Sequence, residues 1–254
     1  MHALCSRGYD SKHGWLHIAV DLPGHGDSPS SILPEPEKGG TSELVVALYQ
    51  EIISKIEHQG ELSTVVYGHS MGTRFAFEIA EKLQMSKMNT SHIILIDGSW
   101  LGATPPVLDM ASLASHARAY RDTIQDRLGM YFGPRTSKEF ESKVRAEFNE
   151  LDYVYALRMG HYYGVFDTLL PALLDNIKVK VLAIVSQENE AGVRRSVKQG
   201  EVTAYMAFLR AHLSELTEHI VEGTGHYPHV DDIDEVTDVV VKFLDERNTS
   251  MLEV

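Results

Sequence analysis

Residues 63–83 read STVVYGHSMGTRFAFEIAEKL, and this stretch decides the fold class. The apolar run at 63–67 predicts a buried strand, and the pattern from residue 73 predicts a helix. Between them, residues 68–72 (GHSMG) match G-x-S-x-G in the strand, turn and helix context of a nucleophile elbow. We expect both Gly68 and Gly72 to be required, because a β-carbon at either position would collide with neighbouring backbone. The stretch therefore predicts a nucleophilic Ser70, with the backbone N–H of Met71 as one oxyanion donor.

Short apolar runs and longer helical patterns alternate along much of the remaining chain. Further strands are predicted at 17–21, 92–96, 180–185 and 218–221, and helices at 42–58, 73–82, about 201–214 and about 232–247. Strand runs without polar alternation are typical of strands that helices cover on both faces. Strands separated by helices favour parallel pairing. The sequence therefore predicts an α/β fold with a mostly parallel central sheet flanked by helices.

Residues 100–174 contain no clear strand and interrupt this alternation. Helices are predicted within them at 110–128, 137–149, 151–159 and 166–174. We therefore predict a helical lid at 100–174, inserted into an α/β core that is made of residues 1–99 and 175–254. The insertion is rich in aromatic side chains, most of which we assign to core packing and some to the wall of a pocket.

The composition limits the partners of the chain. Its 254 residues include 36 acidic and 23 basic side chains, so the formal net charge is −13. Nucleic-acid binding needs clustered Lys and Arg, so nucleic acid is not an expected partner. Cys5 is the only cysteine, which excludes an internal disulfide and a site built from several cysteines. We find neither a signal-peptide pattern nor an apolar run long enough to span a membrane. We therefore expect a cytoplasmic protein that acts on a small molecule and uses no metal or organic cofactor.

A serine hydroxyl needs a positioned base to become a nucleophile, and the chain contains 13 histidines. His226 lies in the run 222–228 (EGTGHYP), directly after the last predicted strand and before the last predicted helix. A histidine on that loop can reach over the strand ends toward Ser70, so we predict His226 as the base. His229 is the weaker alternative, because Pro228 and the helix start turn it aside. His69 flanks the nucleophile, and we expect it to pack beneath the elbow.

Three motifs in this order resemble the α/β-hydrolase superfamily, in particular its lid-bearing serine hydrolases of the esterase and lipase type. They are VDLPGHGDS at 20–28, GHSMG at 68–72 and GTGHYP at 223–228, and the resemblance covers about residues 15–247. It implies hydrolysis of a carboxylic ester or thioester of a partly apolar small molecule, through an acyl-enzyme on Ser70. It also implies that His25, in the first motif, belongs to a structural turn. The first strands that are usual in this fold are expected to be missing here.

Two other functions are compatible with the same motifs, because a fold does not determine the chemistry of its site. One is a non-hydrolytic enzyme of the same fold or a C–C bond hydrolase; a lyase or a cyclase would belong to this group. The other is a small-molecule binder without catalytic activity, which a shortened N-terminus and an unusual triad acid would explain.

The resemblance leaves the acid of the catalytic triad open. In such proteins the acid most often follows the strand before the histidine, within a Gly-x-x-Asp pattern. Here residues 186–190 read SQENE, and Asn189 occupies the position of the aspartate. An amide cannot stabilise the imidazolium that forms when the histidine takes a proton. We therefore predict Asp97, at the end of the preceding predicted strand, as the acid, with Glu188 and then Glu190 as alternatives.

The second oxyanion donor is the other departure from the family pattern. In the family it comes from a loop that follows an N-terminal strand ending in His-Gly. Only a partial match, Arg7-Gly8, is present in this chain. We assign the donor to Gly8 or Tyr9. Where it has been tested in enzymes, losing one such donor costs about 10²–10³ in rate.

Overall fold

The structure of the chain is a computed structural model that describes residues 5–10, 15–26, 28, 40–55, 63–100, 109–190 and 193–245. The strands are β1 (Cys5–Asp10), β2 (Trp15–Val20), β3 (Thr64–His69), β4 (Thr90–Ile96), β5 (Lys180–Val185), β6 (Gln187–Glu190), β7 (Val193–Ser196) and β8 (Leu216–Ile220). The helices are α1 (Gly40–Ser54), α2 (Gly72–Met85), α3 (Leu113–Leu128), α4 (Lys138–Asn149), α5 (Tyr153–Leu174), α6 (Ala204–His212), α7 (Pro228–Asp231) and α8 (Ile233–Asp245). A 3-10 helix covers Gly129–Tyr131.

The central sheet has the strand order β3-β4-β5-β8, and each neighbouring pair is parallel. The predicted α/β class with a parallel central sheet is therefore confirmed. Because all four strands run in the same direction, their carboxyl ends lie along one edge of the sheet. Loops at that edge are the usual place for functional side chains in an open parallel sheet.

Successive residues of the central strands face opposite helix layers, as the pleat of a strand requires. On β4, Ile93 and Leu95 pack against α1, α2, α6 and the second half of α5. Ile94 and Ile96 of the same strand pack against α8 on the other face. Both faces of the strand are therefore closed to solvent, which is why its sequence is a continuous apolar run.

The predicted strand at 17–21 has a different environment from the one that we expected. It forms β2, which pairs antiparallel with β1, a strand that the sequence analysis did not identify. His17 and Ala19 are exposed, whereas Leu16 and Ile18 are half-buried. The expectation that helices cover both faces was therefore wrong for this strand. An alternating pattern of exposure is ordinary for an antiparallel pair with one solvated face.

The segment between β4 and β5 contains α3, the 3-10 helix, α4 and α5. The two helices predicted at 151–159 and 166–174 are wrong in one respect, because they form the single helix α5. Gly160 and Gly164 lie within this helix, and a glycine costs about 1 kcal/mol in a helix interior. Burial of Met159 and Tyr163 on the same helix offsets that cost.

The hairpin β6–β7 is a second feature that the sequence analysis did not identify. Gln187 of β6 pairs with Ser196 of β7, and Glu190 pairs with Val193. Seven of the eight residues in QENE and VRRS are polar, so they lack the apolar alternation that predicts a half-buried strand. The hairpin follows β5 directly and extends from the edge where the carboxyl ends of the central strands lie.

Candidate active site

Ser70 lies in the tight turn between β3 and α2. Its φ of 54° is in the left-handed region, which residues other than glycine rarely adopt. The Ser70 N–H donates to the Ile96 carbonyl at 2.9 Å, which ties the turn to the end of β4. A β-carbon on Gly68 would come within 2.3 Å of the Gly72 carbonyl oxygen, so the close approach of strand and helix requires glycine there.

Gly72 does not have the role that we expected. A β-carbon at this position would meet no atom within 4 Å, and the φ of Gly72 is not positive. The expectation that a side chain here would collide with backbone was therefore wrong. The turn needs glycine before the serine and has space for a side chain after it.

His226 follows β8 and precedes α7. Its Nε2 lies 2.7 Å from the Ser70 Oγ. The backbone N–H of His226 donates to the Tyr131 carbonyl at 2.7 Å, so the helical insertion holds the histidine loop directly. A β-carbon on Gly225 would lie 2.4 Å from the Gly133 nitrogen, which explains why this loop carries a glycine before the histidine.

Asp97 directly follows β4, and its carboxylate lies on the far side of the imidazole from Ser70. Its Oδ2 is 2.5 Å from the His226 Nδ1. Its Oδ1 accepts the N–H groups of Ser186 and Gln187, each at 2.8 Å, and the Ser186 hydroxyl at 2.9 Å. Burial raises the pKa of Asp97, but the bonds from His226 and from the two backbone N–H groups outweigh it and lower the pKa below its ordinary value. Asp97 is therefore a buried carboxylate that stays ionised.

Glu188 and Glu190 lie on β6 and contact a different set of groups. The Glu188 carboxylate accepts from the Arg195 guanidinium at 2.5 Å and from the Ala204 N–H at 2.7 Å. Glu190 has a side chain that is 76% exposed and lies 3.7 Å from the Arg195 Nε. Asn189, at the position where the family pattern has aspartate, pairs with Arg194 across the hairpin. Of the predicted acids, the structure brings Asp97 to the imidazole.

Arg194 of β7 enters the site, and sequence reasoning missed it. Its Nη1 lies 2.9 Å from the His226 Nδ1 and 3.4 Å from the Asp97 Oδ2. Its guanidinium carbon lies 4.7 Å from the centre of the Tyr131 ring. No local signal marks this arginine, because its position depends on the pairing of β6 with β7. Burial lowers the pKa of His226, Asp97 opposes that shift, and the charge of Arg194 adds to it, so the pKa lies below its ordinary value.

Two further histidines lie beside His226. The His69 Nε2–H donates to the His226 carbonyl at 2.7 Å, and the two rings lie 4.7 Å apart between centres. Burial lowers the pKa of His69 to about 3, and repulsion from His226 and His229 adds to the effect. His229 lies on the other side of His69, with 4.8 Å between ring centres. Burial also lowers the pKa of His229, so His69 and His229 lie near His226 as neutral rings.

A cavity of about 360 Å³ opens beside Ser70. Its wall combines residues from the segment after β2, the elbow, the helical insertion and the histidine loop: Val20, Asp21, Leu22, His25, His69, Ser70, Met71, Gly72, Tyr131, Phe148, His226 and Tyr227. His25, expected in a structural turn, contacts the Pro23 carbonyl through Nδ1 at 3.1 Å. Mixed apolar and polar walls of this kind are typical of small-molecule sites.

The predicted oxyanion donors lie in two places. Met71 precedes the first turn of α2, where backbone N–H groups point away from the helix and favour negative charge. Gly8 and Tyr9 lie within β1, opposite His17 and Leu16 of β2. Cys5 is the residue opposite Val20 at the cavity, and three residues of strand span about 10 Å. The roles of Gly8 and Tyr9 therefore stay predictions.

The geometry permits proton transfer along one line of atoms. A hydroxyl, an imidazole and a carboxylate in hydrogen-bonded sequence can move a proton from Ser70 to His226 while the carboxylate stabilises the imidazolium. Within the described part of the chain, no group of three or more His, Cys, Asp or Glu side chains is arranged to hold a metal ion. In that same part, no helix is long and apolar enough to cross a bilayer.

Comparison with known proteins gives a family match and several solved structures of similar fold. The sequence model of a family described as "Alpha/beta hydrolase family" matches residues 2–239. No curated protein sequence matches the chain. Among solved structures, MenH from S. aureus is 20% identical with a TM-score of 0.61, covering 94% of this chain and 86% of that one. An esterase from Exiguobacterium antarcticum is 14% identical with a TM-score of 0.63, covering 92% and 83%. A hydrolase from Oleispira antarctica is 15% identical with a TM-score of 0.66, covering 91% and 81%. At such identities these likenesses concern the fold.

Proposed function

We propose, from the premise that this chain belongs to the α/β-hydrolase family, that it is a serine hydrolase. In this proposal it cleaves a carboxylic ester or thioester of a partly apolar small molecule through an acyl-enzyme on Ser70. The observation that carries the proposal is the continuous line of contacts from the Ser70 Oγ through the imidazole of His226 to Asp97, at 2.7 and 2.5 Å.

In the proposed mechanism His226 Nε2 takes the proton of the Ser70 hydroxyl as the oxygen attacks the ester carbonyl. Asp97 holds the Nδ1–H and stabilises the imidazolium. The Met71 N–H, at the positive end of α2, donates to the developing oxyanion, and the second donor is assigned to Gly8 or Tyr9. The alcohol leaves with the proton from His226, and a water molecule then repeats the sequence to release the acid.

The wall of the cavity supports a small and partly apolar substrate. Its volume of about 360 Å³ lies toward the lower end of ordinary ligand sites. Leu22, Met71 and Phe148 provide apolar surface, whereas Asp21 and His25 provide polar groups near the same opening. A negative group such as Asp21 disfavours an anionic substrate. We infer a neutral ester with a short or medium acyl chain.

We further propose that residues 100–174 act as a helical lid on a core of residues 1–99 and 175–254. Two side chains of this insertion, Tyr131 and Phe148, line the cavity beside Ser70. The second half of α5 differs from the rest of the insertion, because Phe166 and Leu170 belong to the main hydrophobic core. The part that covers the site is therefore the part before that half-helix.

A covalent serine probe tests the nucleophile. A fluorophosphonate should label the wild-type chain and the variant Ser115→Ala, which changes an exposed serine on α3. It should not label Ser70→Ala, and that variant should lose at least about 10³ in kcat on a p-nitrophenyl ester. Labelling of Ser70→Ala at the wild-type rate would refute the assignment.

A panel of p-nitrophenyl esters with acyl chains of increasing length tests the substrate class. We expect kcat/KM to be highest for short and medium chains and to fall when the acyl chain outgrows the cavity. A chain that takes the fluorophosphonate label but turns over no ester or thioester of the panel would refute ester hydrolysis. It would favour a lyase, a cyclase or a C–C bond hydrolase built on the same residues. Absence of both labelling and turnover would favour a non-catalytic binder.

A further inference from the structure

Arg194 contacts two of the proposed triad residues from the side opposite Ser70. Its side chain is 10% exposed, and its Nη1 lies 2.9 Å from the His226 Nδ1 and 3.4 Å from the Asp97 Oδ2. The face of the Tyr131 ring holds the guanidinium from the other side, at 4.7 Å. The arginine is therefore fixed in place by packing, beside the atom that carries the imidazole proton toward Asp97.

Hydrogen-bond chemistry makes this contact unusual. A guanidinium donates and never accepts. The His226 Nδ1 can accept from Arg194 only if it carries no proton, and in that tautomer it offers nothing to the Asp97 oxygen 2.5 Å away. The tautomer that can accept the Ser70 proton at Nε2 has its hydrogen on Nδ1 and directs it to Asp97. In that state Arg194 acts on the imidazole as a nearby positive charge rather than as a hydrogen-bond donor.

No other described group that faces His226 adds a second positive charge to that of Arg194. The titratable and charged neighbours among the described residues come from β4, β7, the elbow, the 3-10 helix and α7 with its cap: Asp97, Arg194, His69, Tyr131, Tyr227 and His229. His69, with a pKa of about 3, is neutral at ordinary pH. Burial raises the pKa of Tyr227 to about 12, so that ring is neutral as well. In the described surroundings the charges at the imidazole are thus one carboxylate and one guanidinium.

We propose that Arg194 is a positioning residue that makes His226 a weaker base by holding a fixed positive charge beside Nδ1 and sharing the Asp97 carboxylate. The inference deepens the proposed function and rests on it. Its consequence is that the imidazole stays neutral, and able to accept the serine proton, in more acidic solution than it would beside Asp97 alone. The accompanying cost is a lower driving force for proton transfer at neutral pH.

The test compares Arg194→Gln with Arg194→Lys and with a matched control, Arg195→Gln. Arg195 is the next residue on β7, but its side chain is 44% exposed and pairs with Glu188 and Glu201. The primary readout is the titration of the His226 imidazole by ¹⁵N NMR of histidine-labelled protein, which needs no substrate. The second readout is the pH profile of kcat/KM on a p-nitrophenyl ester.

We expect the His226 midpoint to rise by about one to two pH units in Arg194→Gln, as for removal of a like charge within about 4–6 Å. The acid limb of kcat/KM should move by the same amount. Arg194→Lys, which keeps the charge, should lie between Arg194→Gln and wild type, and Arg195→Gln should match wild type. An arginine that only stabilises the hairpin would lower activity without moving either midpoint. An unchanged or lowered His226 midpoint in Arg194→Gln would overturn the proposal.

The two readouts separate this inference from the proposed function. If the NMR midpoint rises in Arg194→Gln while the wild type turns over no ester, the electrostatic role stands and ester hydrolysis fails. If the wild type hydrolyses esters and the midpoint does not move, ester hydrolysis stands and the role of Arg194 fails. Should Arg194→Gln not fold, the comparison of Arg194→Lys with Arg195→Gln decides, because displacement of the charge in lysine should still raise the midpoint above that of the control.

Discussion

Substituting the first glycine of the elbow, Gly68→Ala, should damage both stability and activity. The added β-carbon would lie 2.3 Å from the Gly72 carbonyl oxygen, 2.7 Å from its carbonyl carbon and 2.8 Å from the Thr73 Cα. All three atoms belong to the backbone, so relief requires strand β3 and helix α2 to separate by roughly 1 Å against buried packing. Overpacking of this kind costs about 1–3 kcal/mol or more. A displacement of about 1 Å at the nucleophile can cost about 10² in rate.

The matched substitution, Gly72→Ala, should have the opposite effect on stability. Its β-carbon would meet no atom within 4 Å, and alanine is favoured over glycine in a helix by about 1 kcal/mol. Urea unfolding of both variants gives the change in free energy, and kcat/KM on p-nitrophenyl acetate gives the change in rate. We expect Gly68→Ala to lose about 2–4 kcal/mol and about 100-fold in rate. Gly72→Ala should keep or gain stability. Equal damage from the two substitutions, or a loss below about 1 kcal/mol in Gly68→Ala, would refute this account of the turn.

Three further predictions concern the acid, the neighbouring histidine and the helix that follows the elbow. Asp97→Asn should lower kcat on a p-nitrophenyl ester by about 10⁴, whereas Glu188→Gln should change it by less than about twofold; equal losses would refute the choice of Asp97. Because the pKa of His69 is about 3 in the folded chain and 6.5 in the unfolded chain, the unfolded chain binds more protons in acid. The stability present above pH 6.5 should therefore decline as the pH falls toward about 3, by up to about 5 kcal/mol from this group. His69→Asn should flatten that decline in urea titrations at successive pH values. The buried pair of Arg74 with Asp167, at 2.6 Å on both arms, joins α2 to α5. Arg74→Met or Asp167→Leu alone should cost about 3–5 kcal/mol in urea unfolding and the double variant clearly less than their sum, so additive losses would contradict the pairing.

The central sheet was predictable because its strands carry their own signal. The run at 180–185 was predicted with the bounds that β5 has, since a strand covered on both faces must be apolar at every position. The run at 92–96 was found two residues short of the start of β4, where Thr90 and Ser91 interrupt the apolar pattern. The helix α8 was found for the related reason that it buries one stripe of apolar side chains.

The strand β1 and the hairpin β6–β7 were not predictable in the same way. Their stability comes from backbone pairing with a partner strand, and a pairing partner leaves no periodic mark on a short polar segment. The consequence for the site is specific. Arg194 reaches the imidazole only because β7 folds back on β6, so no reading of the local sequence around residue 194 could place it there.

The site as a whole follows from the order of the central strands. Ser70 directly follows β3 and Asp97 directly follows β4. Neighbouring strands lie about 4.8 Å apart, so these two residues are brought together by the sheet alone. His226 follows β8, at the other edge of the sheet, and its loop must cross the ends of β5 and β4 to reach Ser70. That crossing is fixed by the helical insertion. The Tyr131 carbonyl accepts the His226 N–H, and the backbone at Gly133 packs against Gly225. The insertion therefore directs the imidazole as well as lining the cavity, which explains why a segment outside the sheet is needed to assemble a site at its edge.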